Sequence, residues 1–400
     1  MSDPLERLLD RAGSTDTAGY FEIAPPEGQA EGRAFSFVDP GTTIRLRRTT
    51  HTEDLANQVA DHLSRGRGAT LVGYLGFDAV GLFEPLLRDL PAGSPFPLGE
   101  FALVDRVRWE KVRVRRRRSA RPSRAALPTP TADSMDRDRY CQSVTRLRAA
   151  IRDGEAFQVV LAHRRSWTRP DDLYERVRAL RESERYAYFY YLKFGPNEIL
   201  GVSPESVVEV RGRMAYLNPI AGTVPLGRGR SGRQRLKEDP KELAEHRMLV
   251  DLARNDLGRI SEPGSVRLLF QERRERFARL EHLVSRVRSR LRPGVGPLET
   301  LAAAFPAGTV SGAPKIRATQ LLRKEEGSWR GPYAGAVGVV NGQGEANWAL
   351  AIRSAFAHGQ QLYTAAGAGI VYGSRPAQEF QETLTKLEQV ESSLVGTMRT

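Results

Sequence analysis

Apolar residues recur at two different spacings along this chain. Helical spacing, with apolar positions three and four apart, places Val144, Leu147, Ala150 and Ile151 on one face and predicts a helix over 140–151. The same spacing predicts helices near 53–64, 173–181, 240–257 and 376–395. Period-two alternation in Ile44-Arg45-Leu46-Arg47 and over 106–114 predicts strands, and Phe35, Phe37 and Val38 begin another strand-like patch. Apolar runs at 69–77, 157–161 and 186–194 suit strands buried on both faces. Within the first run, Gly73 and Gly76 admit close approach of another backbone. No internal repeat is present. Short strands and turns fill most of the first hundred residues, and helices alternate with strands from Met135 onward.

Between these regions lies a polar stretch. Arg115 to Arg118 are consecutive arginines, followed by Pro122, Pro128 and Pro130, which makes residues 115–136 the expected linker loop.

Composition narrows the class. The 400 residues are 40% hydrophobic and 27% charged, enough for one large domain or two ordinary ones and too apolar for a disordered chain. There is no apolar run long enough for a membrane helix, and the acidic start Met1-Ser2-Asp3-Pro4-Leu5-Glu6 does not read as a secretory signal. The single cysteine, Cys141, excludes an internal disulfide framework and a cysteine-rich zinc site. The expected location is cytoplasmic, with no membrane. A net charge of +13 raises nucleic-acid binding as a rival reading, since only seven of the 61 basic residues are lysines and arginine dominates. The one dense run, 111–124, comes without a helix-turn-helix, zinc finger or aromatic RNA-binding pattern. A solvated arginine-rich loop is therefore the preferred reading, and steering of a small anion the next.

Candidate chemistry begins with what is absent. Gly227 to Gly232 spells GxGxxG in an arginine-rich polar stretch with no flanking strand and helix, so it reads as a loop. No P-loop and no GxSxG nucleophile elbow occur. Two glutamate pairs are more informative. Asp239 can cap a helix opened by Pro240, with Glu242 in its first turn. At about 100° per residue, Glu242 and Glu245 share an arc with Met248, Leu249, Leu252 and Ala253, the face this helix must bury. A carboxylate there is costly without a cation or a proton. The second pair follows Ser374, a candidate cap, and Pro376. Glu379, Glu382 and Lys386 border a stripe of Phe380, Leu384, Leu387 and Val390, and alone they read as a surface ion pair. Together the pairs suit a hard-oxygen site for Mg²⁺. Glycine-rich hydroxyl-bearing segments at 219–223, 305–315 and 365–370 would expose backbone N–H groups to an anion, although each also serves as a tight turn.

Taken together, the segments resemble the chorismate-utilising enzyme family, in particular anthranilate synthase component I and its aminodeoxychorismate synthase relatives. The matching residues are Gly73 to Asp78, Phe157 to Leu161, Ser203-Pro204-Glu205, Pro219 to Thr223, and Asp239 to Asp256. They continue with His282 to Ser285, Phe305 to Lys315 (FPAGTVSGAPK), Ala351 to Ser354, Gly367 to Ile370 and Glu379 to Lys386.

The resemblance implies an α+β fold in which two large antiparallel sheets pack as a sandwich with helices outside. Residues 1–114 would contribute strands to that shared sandwich, and 137–400 would form the chorismate-binding catalytic region. Carried over by motif, Glu245 and Glu382 would bind Mg²⁺ with Glu242 and Glu379 beside them. Thr223, Thr309, Tyr333, Arg353, Gly367, Gly369 and Lys386 would bind substrate. Glu205 would be the general acid for the departing ring hydroxyl, which requires its pKa to be raised by burial. His282 would assist loss of pyruvate. Family members that add water carry a lysine where this chain has Gln158, so ammonia is the expected nucleophile, and Ala221 stands where aminodeoxychorismate synthases often have a nucleophilic lysine. The expected reaction is chorismate and ammonia to anthranilate and pyruvate. With no glycine-flanked nucleophile around Cys141, ammonia would come from a separate glutamine amidotransferase subunit or from solution.

Departures from the family pattern keep alternatives open. The tryptophan-binding Asn-Pro-Ser-Pro stretch aligns with Glu184-Arg185-Tyr186-Ala187 and no Leu-Leu-Glu-Ser is found, so feedback inhibition by tryptophan is expected to be weak or absent. Val224-Pro225-Leu226-Gly227 replaces the usual Arg-Pro-Arg-Gly, and Tyr372-Gly373-Ser374 also departs. These suit a specialised-metabolism enzyme, such as an antibiotic-pathway 2-amino-2-deoxyisochorismate or aminodeoxychorismate synthase, as well as one of tryptophan synthesis. Isochorismate or salicylate synthase and a basic nucleic-acid-binding module complete the alternatives.

Overall fold

The alternation of side chains in the aromatic strands dictates a layered molecule. In Thr17–Ile23, Tyr20 and Phe21 point to opposite faces, and in Tyr188–Phe194 the same holds for Phe189 and Tyr191 against Tyr188, Tyr190 and Leu192. All these residues are buried, so both faces of that sheet must be covered. The computed structural model describes residues 3–25, 31–89, 91, 93–113, 129–183, 186–225, 240–277 and 280–395.

Two ten-stranded sheets result, and every strand pairing among the described residues is antiparallel. The first runs in space Gly312–Ala313, Gln158–Thr168, Gln361–Ile370, Ser354–His358, Asn197–Ser203, Tyr188–Phe194, Thr17–Ile23, Gly32–Val38 and Glu110–Val112, with Ala132–Asp133 also on Gln158–Thr168. The second runs Ile220–Pro225, Leu280–Arg290, Met214–Leu217, Ser206–Arg211, Ala346–Leu350, Ala336–Asn341, Thr70–Leu75, Gly99–Val104 and Thr42–Leu46, with Arg267–Phe277 also on Leu280–Arg290.

The main core lies between the sheets, where Phe21, Tyr188, Tyr190 and Ile199 of the first meet Tyr74, Phe101, Val208 and Trp348 of the second. The outer face of the first sheet forms a second core under the helices Pro4–Ala12, Leu173–Ser183 and Pro376–Val395, through Leu5, Leu8, Val177, Leu180, Val390 and Leu394. The fold is thus the expected α+β sandwich with helices outside. Early and late segments interleave in it, since Thr17–Ile23 pairs with Tyr188–Phe194 and Thr70–Leu75 with Ala336–Asn341.

Helices form at Thr52–Ser64, Arg137–Arg152, Leu173–Ser183, Pro240–Gly258 and Pro376–Val395, all where the apolar spacing puts them. Gly73 has the close backbone contact its position suggested, because a Cβ there would collide with the carbonyl oxygen of Glu100 on the adjacent strand.

Three details differ from the sequence reading. Ser374 does not cap the last helix, since its hydroxyl accepts from the N–H of Val371 at 3.0 Å and closes a turn just before it. The linker is narrower than 115–136 at its C-terminal end, because Ala132–Asp133 is a strand and Asp136 caps Arg137–Arg152 by accepting from the N–H of Arg139. Among the described residues of the stretch 106–114, Glu110–Val112 alone is a strand. Asp239, the GxGxxG stretch and most of the arginine run fall outside the described residues.

Candidate active site

Two places where the chain leaves one sheet for the other define the site. Asn197–Ser203 belongs to the first sheet and Ser206–Arg211 to the second, so Pro204 and Glu205 make the crossing. Ala346–Leu350 and Ser354–His358 repeat the crossing in reverse, through Ala351, Ile352 and Arg353. The two crossings are joined by backbone hydrogen bonds, Leu350 N–H to Glu205 C=O at 2.9 Å and Val202 N–H to Arg353 C=O at 3.2 Å. Arg353 has φ +50°, a left-handed conformation uncommon for a residue with a Cβ, of the kind found where a side chain is held for use. Neighbouring crossings thereby bring one acid and one guanidinium to a common cavity.

That cavity has a volume of about 670 Å³. Its walls include Gln158, Glu205, Glu242, Glu245, His282, Thr309, Tyr333, Arg353, Gly367, Gly369, Glu379, Glu382 and Lys386, so these expected site residues share one space although they come from distant stretches. The side chain of Thr223 falls outside the described residues, and its backbone pairs opposite His282.

Glu205 is buried in the cavity wall. Burial pushes its carboxyl up to about 7, against the opposing effects of the Thr309 hydroxyl and the charge of Arg353. The Thr309 hydroxyl donates to Oε1 of Glu205 at 2.7 Å. Thr309 thus touches the acid directly, a contact that its expected role as a substrate ligand did not include.

The glutamates approach from two helices. Pro240–Gly258 packs on Ile220–Pro225 and Leu280–Arg290 of the second sheet, and Pro376–Val395 packs on Gln361–Ile370 of the first. Glu242 and Glu379 occupy their first turns. Glu245 accepts from the Gln158 carboxamide Nε2 at 2.8 Å. Glu382 pairs with Lys386 at 2.7 Å, and Lys386 also donates to the carbonyl of Gly367 at 2.8 Å. The surface ion pair and the cavity position therefore coexist, with both side chains about half exposed.

Both glycines of the neighbouring strand keep the wall close to other cavity side chains. A Cβ on Gly369 would lie 2.5 Å from Gln158 Nε2, and one on Gly367 would lie 3.3 Å from the Tyr333 hydroxyl. Among the described residues, no three His, Cys, Asp or Glu side chains stand close enough to form a cation cluster by themselves. The donors present are hard carboxylate oxygens. Mg²⁺ takes one or two such carboxylates beside its waters, so these side chains are of the type that would hold it.

Several supporting contacts were not expected from the sequence, although His246, Asp256, Ser285 and Lys315 lie in the segments that carry the resemblance. The Arg330 guanidinium, fully buried, donates to the carbonyls of Val160 and Val310 at 2.7 Å each and pairs with Glu326, which accepts from the N–H of Ala162. Val160 and Val310 line the cavity, so this ion pair holds two of its walls. Buried His246 meets the Ser285 hydroxyl at 2.6 Å, fastening the helix of Glu245 to the strand of His282. Lys315 pairs with Asp256 at 2.8 Å and ties Lys315–Glu326 to that same helix. Apart from the i,i+4 pair of Glu326 and Arg330, these contacts join residues 20 to 170 positions apart, beyond the reach of a local pattern.

With the site assembled, comparison with known proteins is informative. The family described as chorismate binding enzyme matches residues 24–392. The chain belongs to the chorismate-binding enzymes. Among curated relatives of this chorismate-binding enzyme, anthranilate synthase component 1 of Methanothermobacter thermautotrophicus is 40% identical over 352 residues, covering 83% of this chain and 75% of that protein. Anthranilate synthase component 1 of Streptomyces coelicolor is 39% identical over 366 residues, covering 79% and 71%. Among solved structures, anthranilate synthase component I from Streptococcus pneumoniae superposes with a TM-score of 0.79 at 29% identity, covering 92% of this chain and 94% of that one. A Bacillus anthracis protein described as a 2,3-dihydroxybenzoate-specific isochorismate synthase shares the fold, with a TM-score of 0.75 at 22% identity. No helix among the described residues is long and apolar enough to cross a membrane.

Proposed function

We propose that this chorismate-binding enzyme is an anthranilate synthase synthase subunit, converting chorismate and ammonia to anthranilate, pyruvate and water. The observation that carries the reading is Glu205, a buried carboxyl protonated up to about pH 7 in the wall of a cavity that also presents Arg353. A departing allylic hydroxyl needs a proton, and a general acid with a pKa near the working pH supplies it most effectively. Ammonia forms the new C–N bond, and the electron pair of the broken C–O bond leaves on the oxygen that takes the proton of Glu205. The proton released from the new ammonium group restores that acid.

Gln158 supports the choice of nucleophile. A carboxamide is neither a base nor an acid at neutral pH, and this one is held by its hydrogen bond to Glu245. Nothing at that position activates water, so ammonia, already nucleophilic, is the better co-substrate. Arg353 offers a charge-assisted fork to a substrate carboxylate, with Tyr333, Lys386 and the backbone at Gly367 and Gly369 beside it. His282 stands in the same wall to move a proton as pyruvate is lost.

Glu245 and Glu382 would hold the Mg²⁺, with Glu242 and Glu379 near it. When bound, the ion would neutralise the ring carboxylate. The glutamates and Lys386 otherwise keep that wall charged and wet. Ammonia is supplied by a separate amidotransferase subunit in this reading, because no glutaminase motif surrounds Cys141. The purified chain, given chorismate, Mg²⁺ and ammonium at alkaline pH, should yield anthranilate by mass, and glutamine in place of ammonium should yield none. An amino product retaining the enolpyruvyl group would instead assign an aminodeoxychorismate-type synthase, and a hydroxylated product would overturn the ammonia reading.

A further inference from the structure

Glu205 reaches the cavity with one of its two oxygens already engaged. The Thr309 hydroxyl donates to Oε1 at 2.7 Å, and the Glu205 residue is buried. In a neutral carboxyl group one oxygen accepts and the other carries the hydrogen. We propose that Thr309 is the positioning residue of the general acid, its hydroxyl occupying Oε1 so that the transferable proton resides on Oε2. The inference rests on Glu205 being the acid of the proposed reaction.

The surroundings hold Thr309 in place for this. It lies in the short helix Gly308–Ser311, whose Val310 carbonyl is gripped by Arg330 at 2.7 Å. Gly308 lets that segment pack closely on the Pro240–Gly258 helix, since a Cβ there would collide with Leu252. Backbone bonds between the sheet crossings fix the other partner. Titratable groups line the same cavity as Glu205: Arg353 from the neighbouring crossing, and His282, Tyr333, the glutamates and Lys386 from the other walls. A second pocket of about 40 Å³ behind Glu205 has Asp256 in its wall, paired with Lys315. Of these, Arg353 acts on the carboxyl in the same direction as the hydroxyl, favouring its ionised form.

Three variants separate this role from substrate binding and from a purely structural one. In the ammonium-dependent assay at constant free ammonia, kcat and the chorismate KM are followed between about pH 6 and 9. Thr309→Val keeps the shape and removes the donor. Its kcat should fall about tenfold with chorismate KM within about twofold, and the limb where activity declines on the alkaline side should move to higher pH. Thr309→Ser, which keeps a hydroxyl, should restore both the rate and the limb. A rise in KM with an unmoved limb would show that Thr309 binds substrate, and a Val variant matching the parent would equally overturn the proposal. Thr309→Ala replaces the Val variant should that one not fold, as judged by its melting temperature. Glu205→Gln separates the two readings. If it retains full activity the acid itself is misassigned, whereas an inactive Glu205→Gln beside an unaffected Thr309→Val rejects only the role of Thr309.

Discussion

The N–H of Leu350 donates to the carbonyl of Glu205 at 2.9 Å, so the segment leading to Arg353 is fastened to the segment carrying the acid. Both lie where the chain passes between sheets, so backbone bonds hold the main chain of the acid while the Thr309 hydroxyl engages its carboxyl. Replacing Glu205 by Gln should preserve that geometry and lower kcat by about 10²- to 10⁴-fold, read in the ammonium-dependent assay.

The same residue makes a prediction about stability. Its carboxyl is pushed up to about 7 in the folded protein against an ordinary value of 4.5. Between those two pH values the unfolded chain has released a proton that the folded one retains, so stability declines as pH rises through the window and levels off above it. The cost at pH 8 is on the order of 3 kcal/mol, and Glu205→Gln removes it. Chemical denaturation should find the inactive variant more stable than the parent at pH 8, with the gap closing below about pH 4.5.

The proposed Mg²⁺ site predicts divalent-ion dependence. Chelation with EDTA should abolish turnover and Mg²⁺ should restore it. Glu245→Ala and Glu382→Ala should each weaken binding of Mn²⁺, used as a spectroscopic probe, by about tenfold or more. Unchanged Mn²⁺ binding in both variants would place the ion elsewhere.

Gly369→Ala tests the wall from the opposite side. The added methyl would press on Gln158 Nε2 and displace it from Glu245, so turnover should drop about tenfold in the same assay. The melting temperature should change little, because the residue yielding is a side chain in the wall of an open cavity.

Arg330 should show the reverse pattern, a structural loss. Arg330→Met leaves Glu326 charged and buried and frees the Val160 and Val310 carbonyls, which should cost about 3–5 kcal/mol in urea unfolding.

Tryptophan gives a simpler test. If the expectation drawn from Glu184 to Ala187 holds, micromolar tryptophan should leave the initial rate unchanged.

Much of this architecture was legible because local chemistry and tertiary packing agree. Pro376 opens a helix that runs to Val395, its Leu387 and Val390 fall on the buried face, and the aromatic run before Phe194 is a strand buried on both sides. The glutamate arcs were legible for the same reason, since helical spacing puts Glu245 on the arc of Leu249 and Ala253. Partnerships were less accessible. Ser374 had the right type for a cap, but it lies one residue before the cap position, where the carbonyl of Arg375 accepts the first helical bond, and its hydroxyl accepts from the Val371 N–H instead. Arg330 looks like any of the chain's many arginines, and only folding brings Val160, 170 residues away, within its reach. Thr309 sat in a recognisable motif, yet its contact with Glu205 spans 104 positions and no spacing rule reports it.

The paired crossings have a mechanical corollary. Because acid and guanidinium each stand on a strand-to-strand bridge between the layers, shear of one layer over the other would pull at both bridges together. Catalytic alignment is thereby tied to the rigidity of the whole sandwich, and a substitution deep between the layers, at Trp348 or Tyr190, would register as lost turnover before it registered as unfolding.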